Sequence, residues 1–119
     1  MNMMNIYNMK LLPKYFDCIK NGTKRIELRL NDEKRNGLKI GDEIIFEEVK
    51  ENPRYLKTKV VDLYYEDTFD ILIDRFNIEL FADKDTTKEE LLSVLKDIYP
   101  IEKQKQYGIV GIKIELLED

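Results

Sequence analysis

The sequence of 119 residues contains no histidine, no tryptophan and a single cysteine. Histidine is the most frequent general base and zinc ligand, and it partners serine or cysteine in catalytic triads, so its absence excludes those chemistries. The lone thiol of Cys18 can form neither an internal disulfide nor a thiolate cluster for zinc. Its position between Phe16 and Ile19 predicts a part-buried helix thiol, and we predict neither a metal nor a cofactor.

Long apolar runs are also missing. Residues Met1 to Asn5 lack a basic segment and an apolar stretch long enough for export, and no later run approaches the ~18 apolar residues of a membrane span. We therefore expect a cytoplasmic protein with no membrane partner.

Glycine and proline are sparse, with five and three residues, and 43% of the chain is hydrophobic and 37% charged. This balance, without low-complexity tracts, is typical of a folded globular chain. Because about 100–150 residues is the commonest domain size, residues 1–119 are expected to form one domain with one principal site. We expect a monomer or a weak dimer.

The net charge of −4 argues against nucleic-acid binding when taken alone. The charge is unevenly distributed along the chain, however. Residues 1–39 carry nine basic against four acidic side chains, a balance of +5, and the remaining eighty carry eleven against twenty. A basic surface on an acidic body can still attract a polyanion, although ordinary solvated charge explains this composition about equally well.

Hydrophobic spacing predicts a mixed chain of about five strands and about three short helices. The predicted elements are a strand at 5–11, a helix at 12–20, strands at 24–30, 43–47 and 56–65, a helix at 69–76, a helix from Thr87 to Pro100 and a strand at 107–117. Strands and helices do not alternate regularly, so the order predicts an α+β fold, a small mixed β-barrel with helices outside it. Gly108 and Gly111 in the last strand predict a bulge or a close approach of backbone, and barrel curvature is the favoured reason.

The second predicted strand alternates between apolar and charged residues. Ile26, Leu28 and Leu30 lie on one face, so the side chains of Arg25, Glu27 and Arg29 are expected to point together, away from the core. From spacing alone, a solvated strand face explains this pattern better than a site does.

The segment Gly22-Thr23-Lys24-Arg25-Ile26-Glu27-Leu28-Arg29 resembles the signature of the ASCH domain family, Gly-x-Lys-x-x-Glu-x-Arg, at all four fixed positions. Small stand-alone bacterial and archaeal members of that family share three further features with this chain. The first is a strand with the pattern Lys-x-Gly-Asp-x-Ile-x-Phe, here Lys39 to Phe46. The others are a helix that ends in Tyr-Pro, here Asp97 to Pro100, and a strand that begins with Tyr-Gly, here Tyr107 to Val110. The resemblance covers residues 6–117 in order and implies a PUA-like fold.

The motif is expected to form a charged cleft at the mouth of the barrel. Gly22 permits a sharp turn from helix to strand, Lys24 supplies a mobile point charge, and an arginine fork can clamp a phosphate or a base edge. Lys24, Glu27 and Arg29 are expected to line one cavity that Tyr107 borders. The predicted ligand-binding residues are Gly22, Lys24, Arg25, Glu27, Arg29 and Tyr107.

The resemblance implies two functions and leaves the choice open. The first is a module that binds RNA or a modified nucleoside, in keeping with contacts that PUA-like domains make with RNA. The second is a hydrolase, either an amidohydrolase acting on acylated cytidine or a ribonuclease, with Lys24 and Glu27 as the catalytic residues. A pure interaction protein without a ligand is the third reading.

The chain departs from the amidohydrolase pattern at two positions. In members of that type the motif lysine is catalytic, a threonine stands where this chain has Glu27, and a glutamate precedes the last helix. Here that later acid falls near Asp83-Lys84-Asp85, and the sequence does not decide whether Asp83 or Asp85 joins the site.

Overall fold

The structure, a computed structural model, describes residues 4–117. Met1 to Met3, which belong to the segment considered above for export, lie outside the described residues. Within residues 4–117 there are five strands and four α-helices. In chain order they are β1 (Ile6–Leu11), α1 (Pro13–Lys20), β2 (Ile26–Leu30), β3 (Glu43–Glu48), β4 (Tyr55–Glu66), α2 (Phe69–Ile73), a 3-10 turn (Ile78–Leu80), α3 (Lys88–Ile98), α4 (Ile101–Tyr107) and β5 (Ile109–Leu116).

The strands form one curled half-barrel sheet in the order β1-β3-β4-β5-β2. β1 pairs with β3 in parallel, and the other neighbours are antiparallel. The predicted α+β barrel of about five strands is therefore confirmed. β1 and β2 are the two outer strands, and no ladder joins them in the described part of the chain.

Apolar side chains pack on both faces of the sheet. On one face, α1 packs through Phe16 and Ile19 against a cluster that includes Val110 and Ile112 of β5. On the other, the Ile26, Leu28 and Leu30 face of β2 packs against α2 and α3. The apolar face predicted for β2 is therefore observed, but the expectation that Glu27 and Arg29 point away from the core is wrong, because Glu27 is buried and their cross-strand partners belong to the other apolar cluster.

α3 begins as the sequence predicts. The Thr87 side chain caps the helix by accepting from the Glu90 backbone N–H at 3.2 Å, and the Thr87 hydroxyl donates to the Glu90 carboxylate at 3.2 Å. The helix ends at Ile98, before Pro100. The apolar stripe of Leu91 and Leu95 is buried.

Two details of the last part of the chain differ from the prediction. Residues 101–107, of which Tyr107 was assigned to the last strand, form the additional helix α4. The register irregularity lies in β4 between Val60 and Asp62 and not at a glycine of β5. Gly111 is instead a point of close approach, because a Cβ there would lie 2.6 Å from Leu72 Cδ2 of α2.

None of the helices within residues 4–117 has the length and apolar character that crossing a bilayer requires.

Candidate functional site

The turn between α1 and β2 buries the side chain of Lys24. α1 ends at Lys20, and Gly22 follows with φ of +87°, a left-handed conformation that glycine adopts without steric cost. The Lys24 backbone N–H then donates to Cys18 O at 3.0 Å, which returns the chain beneath α1. Lys24 is only 4% exposed, and its ammonium group lies 5.5 Å from the centre of the Tyr15 ring.

Three oxygen atoms surround the Lys24 ammonium. Nζ donates to Ile26 O at 2.9 Å and to Phe81 O at 2.8 Å, and it lies 3.1 Å from Glu27 Oε1. An ammonium has three N–H donors, so this environment satisfies all of them. Lys24 thereby ties the start of β2 to the segment that follows the 3-10 turn.

Glu27 and Arg29 project from β2 on the face that carries Ile112 and Val110. These two apolar residues of β5 are their cross-strand partners. Glu27 Oε2 accepts from Arg29 Nε at 2.8 Å and lies 2.7 Å from Arg29 Nη2. Charge-assisted contacts of this length are strong, so the two side chains form a fixed unit.

Arg29 also spans the open seam of the half-barrel. Its Nη2 donates to Lys10 O of β1 at 2.7 Å. β1 and β2 are the outer strands and, in the described part of the chain, do not pair with each other. This contact therefore connects the two edges of the sheet. A line of charge therefore runs from Lys24 through Glu27 and Arg29 to the backbone of β1.

Burial and mutual attraction act in opposite directions on these groups. Burial lowers the pKa of Lys24 below its ordinary value, and the neighbouring Glu27 opposes this shift. Burial alone would raise the pKa of Glu27, but Arg29 and Lys24 outweigh it, and the pKa is lowered. The Glu27 carboxylate is therefore ionised at neutral pH, although only 6% of the residue is exposed.

This charged network forms one wall of a pocket of about 200 Å³. The opposite wall is the apolar face of α3, and the ring of Tyr15 and the end of β1 complete it. The lining residues are Lys10, Leu11, Leu12, Tyr15, Lys24, Glu27, Leu28, Arg29, Val49, Leu91, Val94, Leu95, Ile98 and Tyr99. We refer to it below as the seam pocket.

The structure thus brings Lys24, Glu27 and Arg29 together, and it places the other three predicted residues elsewhere. Gly22 and Arg25 line another groove with Lys113, and this groove shares only Lys24 with the lining of the seam pocket. The expectation that Arg25 shares the face of Glu27 and Arg29 is wrong, because Arg25 precedes β2 and its Nε turns back to Gly22 O at 3.3 Å.

Tyr107 lies outside the seam pocket. It is the last residue of α4 and lines a neighbouring depression, so the expectation that it borders the pocket is wrong. The tyrosine that occupies the border is Tyr99, which caps α3 and precedes Pro100. The error follows from assigning Tyr107 to the last strand.

Sequence reasoning missed the residues that complete the pocket. Lys10 contributes through its backbone carbonyl, for which no side-chain pattern exists. Tyr15, Val94 and Ile98 lie in the predicted helices at 12–20 and from Thr87 to Pro100, and a helix prediction does not indicate which element lies opposite. The sequence gives no signal for them, because the exposure of Val94 and Ile98, 36% and 54%, is known only from the structure.

Of the two acids considered near the site, Asp83 is the nearer to its residues. Its carboxylate lies 4.0 Å from Lys14 Nζ and contributes to raising the pKa of Tyr15, after burial and Glu27. The carboxylate accepts from the Thr86 hydroxyl at 2.7 Å, and it does not line the seam pocket. Among residues 4–117 no group of three or more potential metal-binding side chains could hold an ion.

The geometry described so far defines a PUA-like half-barrel with a charged pocket at its seam. The profile of the ASCH domain matches residues 9–118. The chain belongs to the ASCH domain family, whose fold is PUA-like.

Two solved structures are similar over nearly the whole chain. The crystal structure of hypothetical protein PH0355 has 37% sequence identity and a TM-score of 0.83, and the match covers 94% of this chain and 99% of that one. The solution NMR structure of protein PF0455 from Pyrococcus furiosus has 35% identity and a TM-score of 0.75, with 96% and 99% covered. No curated protein matches the chain.

Proposed function

We propose that the seam pocket binds one base of an RNA or of a modified nucleoside. The observation that carries this proposal is the pairing of a buried, ionised Lys24–Glu27–Arg29 network with an apolar wall across a small open pocket. A base needs both, an apolar surface for its ring and fixed polar groups for its edge.

Arg29 and Glu27 are the groups that such a ligand would meet. Arg29 Nε and Nη2 are engaged by Glu27 and Lys10, and the Tyr99 side chain, which also lines the pocket, interacts with the same guanidinium group. A ligand would therefore meet Arg29 beside Tyr99. Glu27, being ionised, offers only acceptors, which suit an exocyclic amino group or a ribose hydroxyl. Together the two present donor and acceptor side by side.

Pocket size limits what enters. Ligand sites for drug-sized molecules commonly occupy about 300–1,000 Å³, and the seam pocket holds about 200 Å³. A single base fits this range better than a folded RNA element does. The exposed rim residues Leu12, Val94 and Ile98 leave the rest of the ligand on the surface.

The free energy needed to bury these charges supports a role for the network beyond connecting β1 to β2. Ion pairs removed from water contribute little net stability, and apolar side chains of similar volume often stabilise a protein as well or better. Apolar side chains at the seam would therefore stabilise the fold equally well. Buried, ionised side chains that line a pocket are characteristic of functional sites.

Binding is better supported than hydrolysis by the position of Lys24. Its lowered pKa favours the neutral amine that a base or nucleophile requires. All three of its donors are nevertheless satisfied by oxygen atoms, an arrangement that only the ammonium form can make. A hydrolase would have to break these contacts before Lys24 could act.

Two measurements test the proposal. Mass spectrometry of small molecules and RNA fragments that co-purify with the protein would identify the ligand. Titration of that ligand against Arg29→Gln and Arg25→Gln then separates the pocket from the rest of the motif. Loss of a charged hydrogen bond predicts weakening of about tenfold to a hundredfold for Arg29→Gln, and a change of less than about threefold is expected for the exposed Arg25→Gln.

Arg29 also connects β1 to β2, so circular dichroism and thermal unfolding of the variants must accompany the titration. Equal losses in the two variants, with both folded, would remove the seam pocket from the account. Full affinity in a folded Arg29→Gln variant would do the same.

A further inference from the structure

A second depression adjoins the seam pocket across the junction of α3 and α4. Ile98 and Tyr99 line both cavities, so the two are adjacent at that point. The second one holds about 410 Å³ and extends to Lys103 and Tyr107 of α4. The two cavities therefore lie side by side, with Arg29 in the first, Tyr107 in the second and Tyr99 between them.

α4 presents an aromatic ring and a cation to this second depression. Tyr107 is 39% exposed, and Lys103 Nζ lies 5.8 Å from the centre of its ring. Aromatic rings on which bases stack, beside cations that contact the backbone, are the common elements of sites for single-stranded nucleic acid. Both residues are exposed, so a ligand can reach them.

The charge balance of the depression permits a phosphate. Asp32, which also lines it, is paired with Arg35 at 3.2 Å. Of the charged side chains that line the depression, Asp32 and Glu33 are balanced by Lys34 and Lys103. The depression is therefore neutral, although the protein carries a net charge of −4.

We propose that this depression is a second nucleotide subsite, with Tyr107 stacking a base and Lys103 contacting the adjoining phosphate. The ligand is then a single-stranded RNA of two or more nucleotides, with one base in the seam pocket and its neighbour on Tyr107, rather than a free nucleoside. This inference rests on the function proposed above and specifies its substrate class.

Length dependence of binding tests the inference. Affinities are measured by fluorescence anisotropy or calorimetry for the common nucleoside 5′-monophosphates and for random-sequence RNA oligonucleotides of increasing length. The wild-type protein should gain on the order of tenfold in affinity between a mononucleotide and the first longer RNA, the contribution of one stacked base. Tyr107→Ala should abolish that gain, and Tyr107→Phe, which keeps the ring, should retain it.

Two control variants are available, one for the lysine on α4 and one for the exposed tyrosine. Lys105→Ala changes a lysine of α4 that lines a different depression, and Tyr55→Ala removes an exposed tyrosine of β4. Lys103→Ala should reduce the salt dependence of oligonucleotide binding by about one counterion, and Lys105→Ala should leave it unchanged.

The outcomes separate this inference from the proposed function. Mononucleotide binding that depends on Arg29, with a length gain unaffected by Tyr107→Ala or with no gain, overturns the second subsite alone. Absence of binding to every mononucleotide and oligonucleotide overturns the second subsite and the RNA form of the proposed function, and it leaves a modified nucleoside as the proposed ligand of the seam pocket. A length gain lost in Tyr107→Ala and Lys103→Ala but kept in both controls supports the subsite.

Discussion

At the scale of single residues, the chemistry of the seam pocket depends on how its charges are held. Lys24 meets three oxygen atoms, and Glu27 is shared between Lys24 and Arg29. Arg29 is the most exposed of the three side chains, at 12% against 3% for Lys24 and 8% for Glu27, and it lies next to Tyr99 at the border of the pocket. We therefore assign recognition to Arg29 and support of the site to Lys24.

Glu27 bears directly on the hydrolase alternative. The resemblance places a threonine at this position in the amidohydrolase members, and a hydroxyl can donate to a developing oxyanion. An ionised carboxylate only accepts, and it repels the negative charge of a tetrahedral intermediate. The lowered pKa of Glu27 keeps it ionised at neutral pH.

We predict little or no deacylation of acetylated cytidine by the wild-type protein. A charge of the wrong sign in a water-poor pocket can cost several kcal/mol of transition-state stabilisation, on the order of a thousandfold in rate. The measurement is incubation with the nucleoside and chromatography of free cytidine. Efficient turnover that Lys24→Ala abolishes and the exposed Lys20→Ala retains would place the hydrolase first.

The sequence predicts part of this site. Two-residue spacing places Glu27 and Arg29 on one strand face, and the motif adds Lys24 to them. Their burial is not predictable from spacing, because it depends on β1 and β2 remaining unpaired and lying close enough for Arg29 to reach Lys10 O. Contacts between residues distant in sequence decide whether a charged face is solvated or forms a pocket.

At the scale of elements, α4 is the feature that hydrophobic spacing does not predict. Its residues, Ile101–Tyr107, present no apolar stripe, and its buried residue is Gln104. Gln104 Nε2 donates to Tyr99 O at 2.9 Å, and Oε1 accepts from the Phe69 backbone N–H at 3.1 Å at the start of α2. A buried amide that joins two helices leaves no periodic signal, whereas Thr87 and Pro100 made the limits of α3 predictable.

Gly111 permits α2 to pack closely on the sheet. A Cβ at this position would lie 2.6 Å from Leu72 Cδ2 and 3.2 Å from Ile26 Cγ2, and Leu72 is fully buried. Overpacking of this kind typically costs about 1–3 kcal/mol. We predict that Gly111→Ala lowers the free energy of unfolding by that amount, measured by urea denaturation.

Gly37→Ala is the matched control, because a Cβ there would meet only the Tyr7 hydroxyl, at 3.4 Å. Its unfolding midpoint should stay close to that of the wild type. A Gly111→Ala protein as stable as the wild type would show that α2 shifts freely on the sheet and would remove this reason for the glycine.

At the scale of the whole molecule, one ion pair joins β3, the β3–β4 turn and α1. Glu48 is 1% exposed and accepts from Arg54 Nε at 2.9 Å and from Arg54 Nη2 at 2.7 Å. Arg54 also reaches Asp17 at 2.7 Å and lies 4.7 Å from the centre of the Phe16 ring. The hydrogen bonds from Arg54 lower the pKa of Glu48 to about 2.

The lowered pKa of Glu48 predicts that the folded protein loses stability in acid. A carboxyl whose pKa is lower in the folded state stabilises the protein above its unfolded pKa, about 4.5, and that contribution is lost as the pH falls toward 2. Glu27, with its lowered pKa, acts in the same direction. We expect the urea midpoint of the wild type to fall across this window.

In the Glu48→Gln variant the urea midpoint should fall less as the pH decreases. The difference in midpoint between wild type and variant should therefore become smaller toward pH 2. Urea midpoints measured across the window provide the comparison. Glu51→Gln, at an exposed position of the adjoining turn, should instead parallel the wild type. Identical pH profiles for Glu48→Gln and the wild type would exclude Glu48 as the group responsible.

The central claim is that the ligand enters at the seam between β1 and β2, on the α3 side of the molecule. An NMR titration of isotopically labelled protein with the co-purifying ligand, or with a short random-sequence RNA, tests it most directly. We expect saturable chemical-shift changes of the backbone amides of Glu27 to Arg29 and of the last turn of α3. Changes confined to Gly22, Arg25 and Lys113, with none at Glu27 to Arg29 or in α3, would contradict a ligand site at the seam.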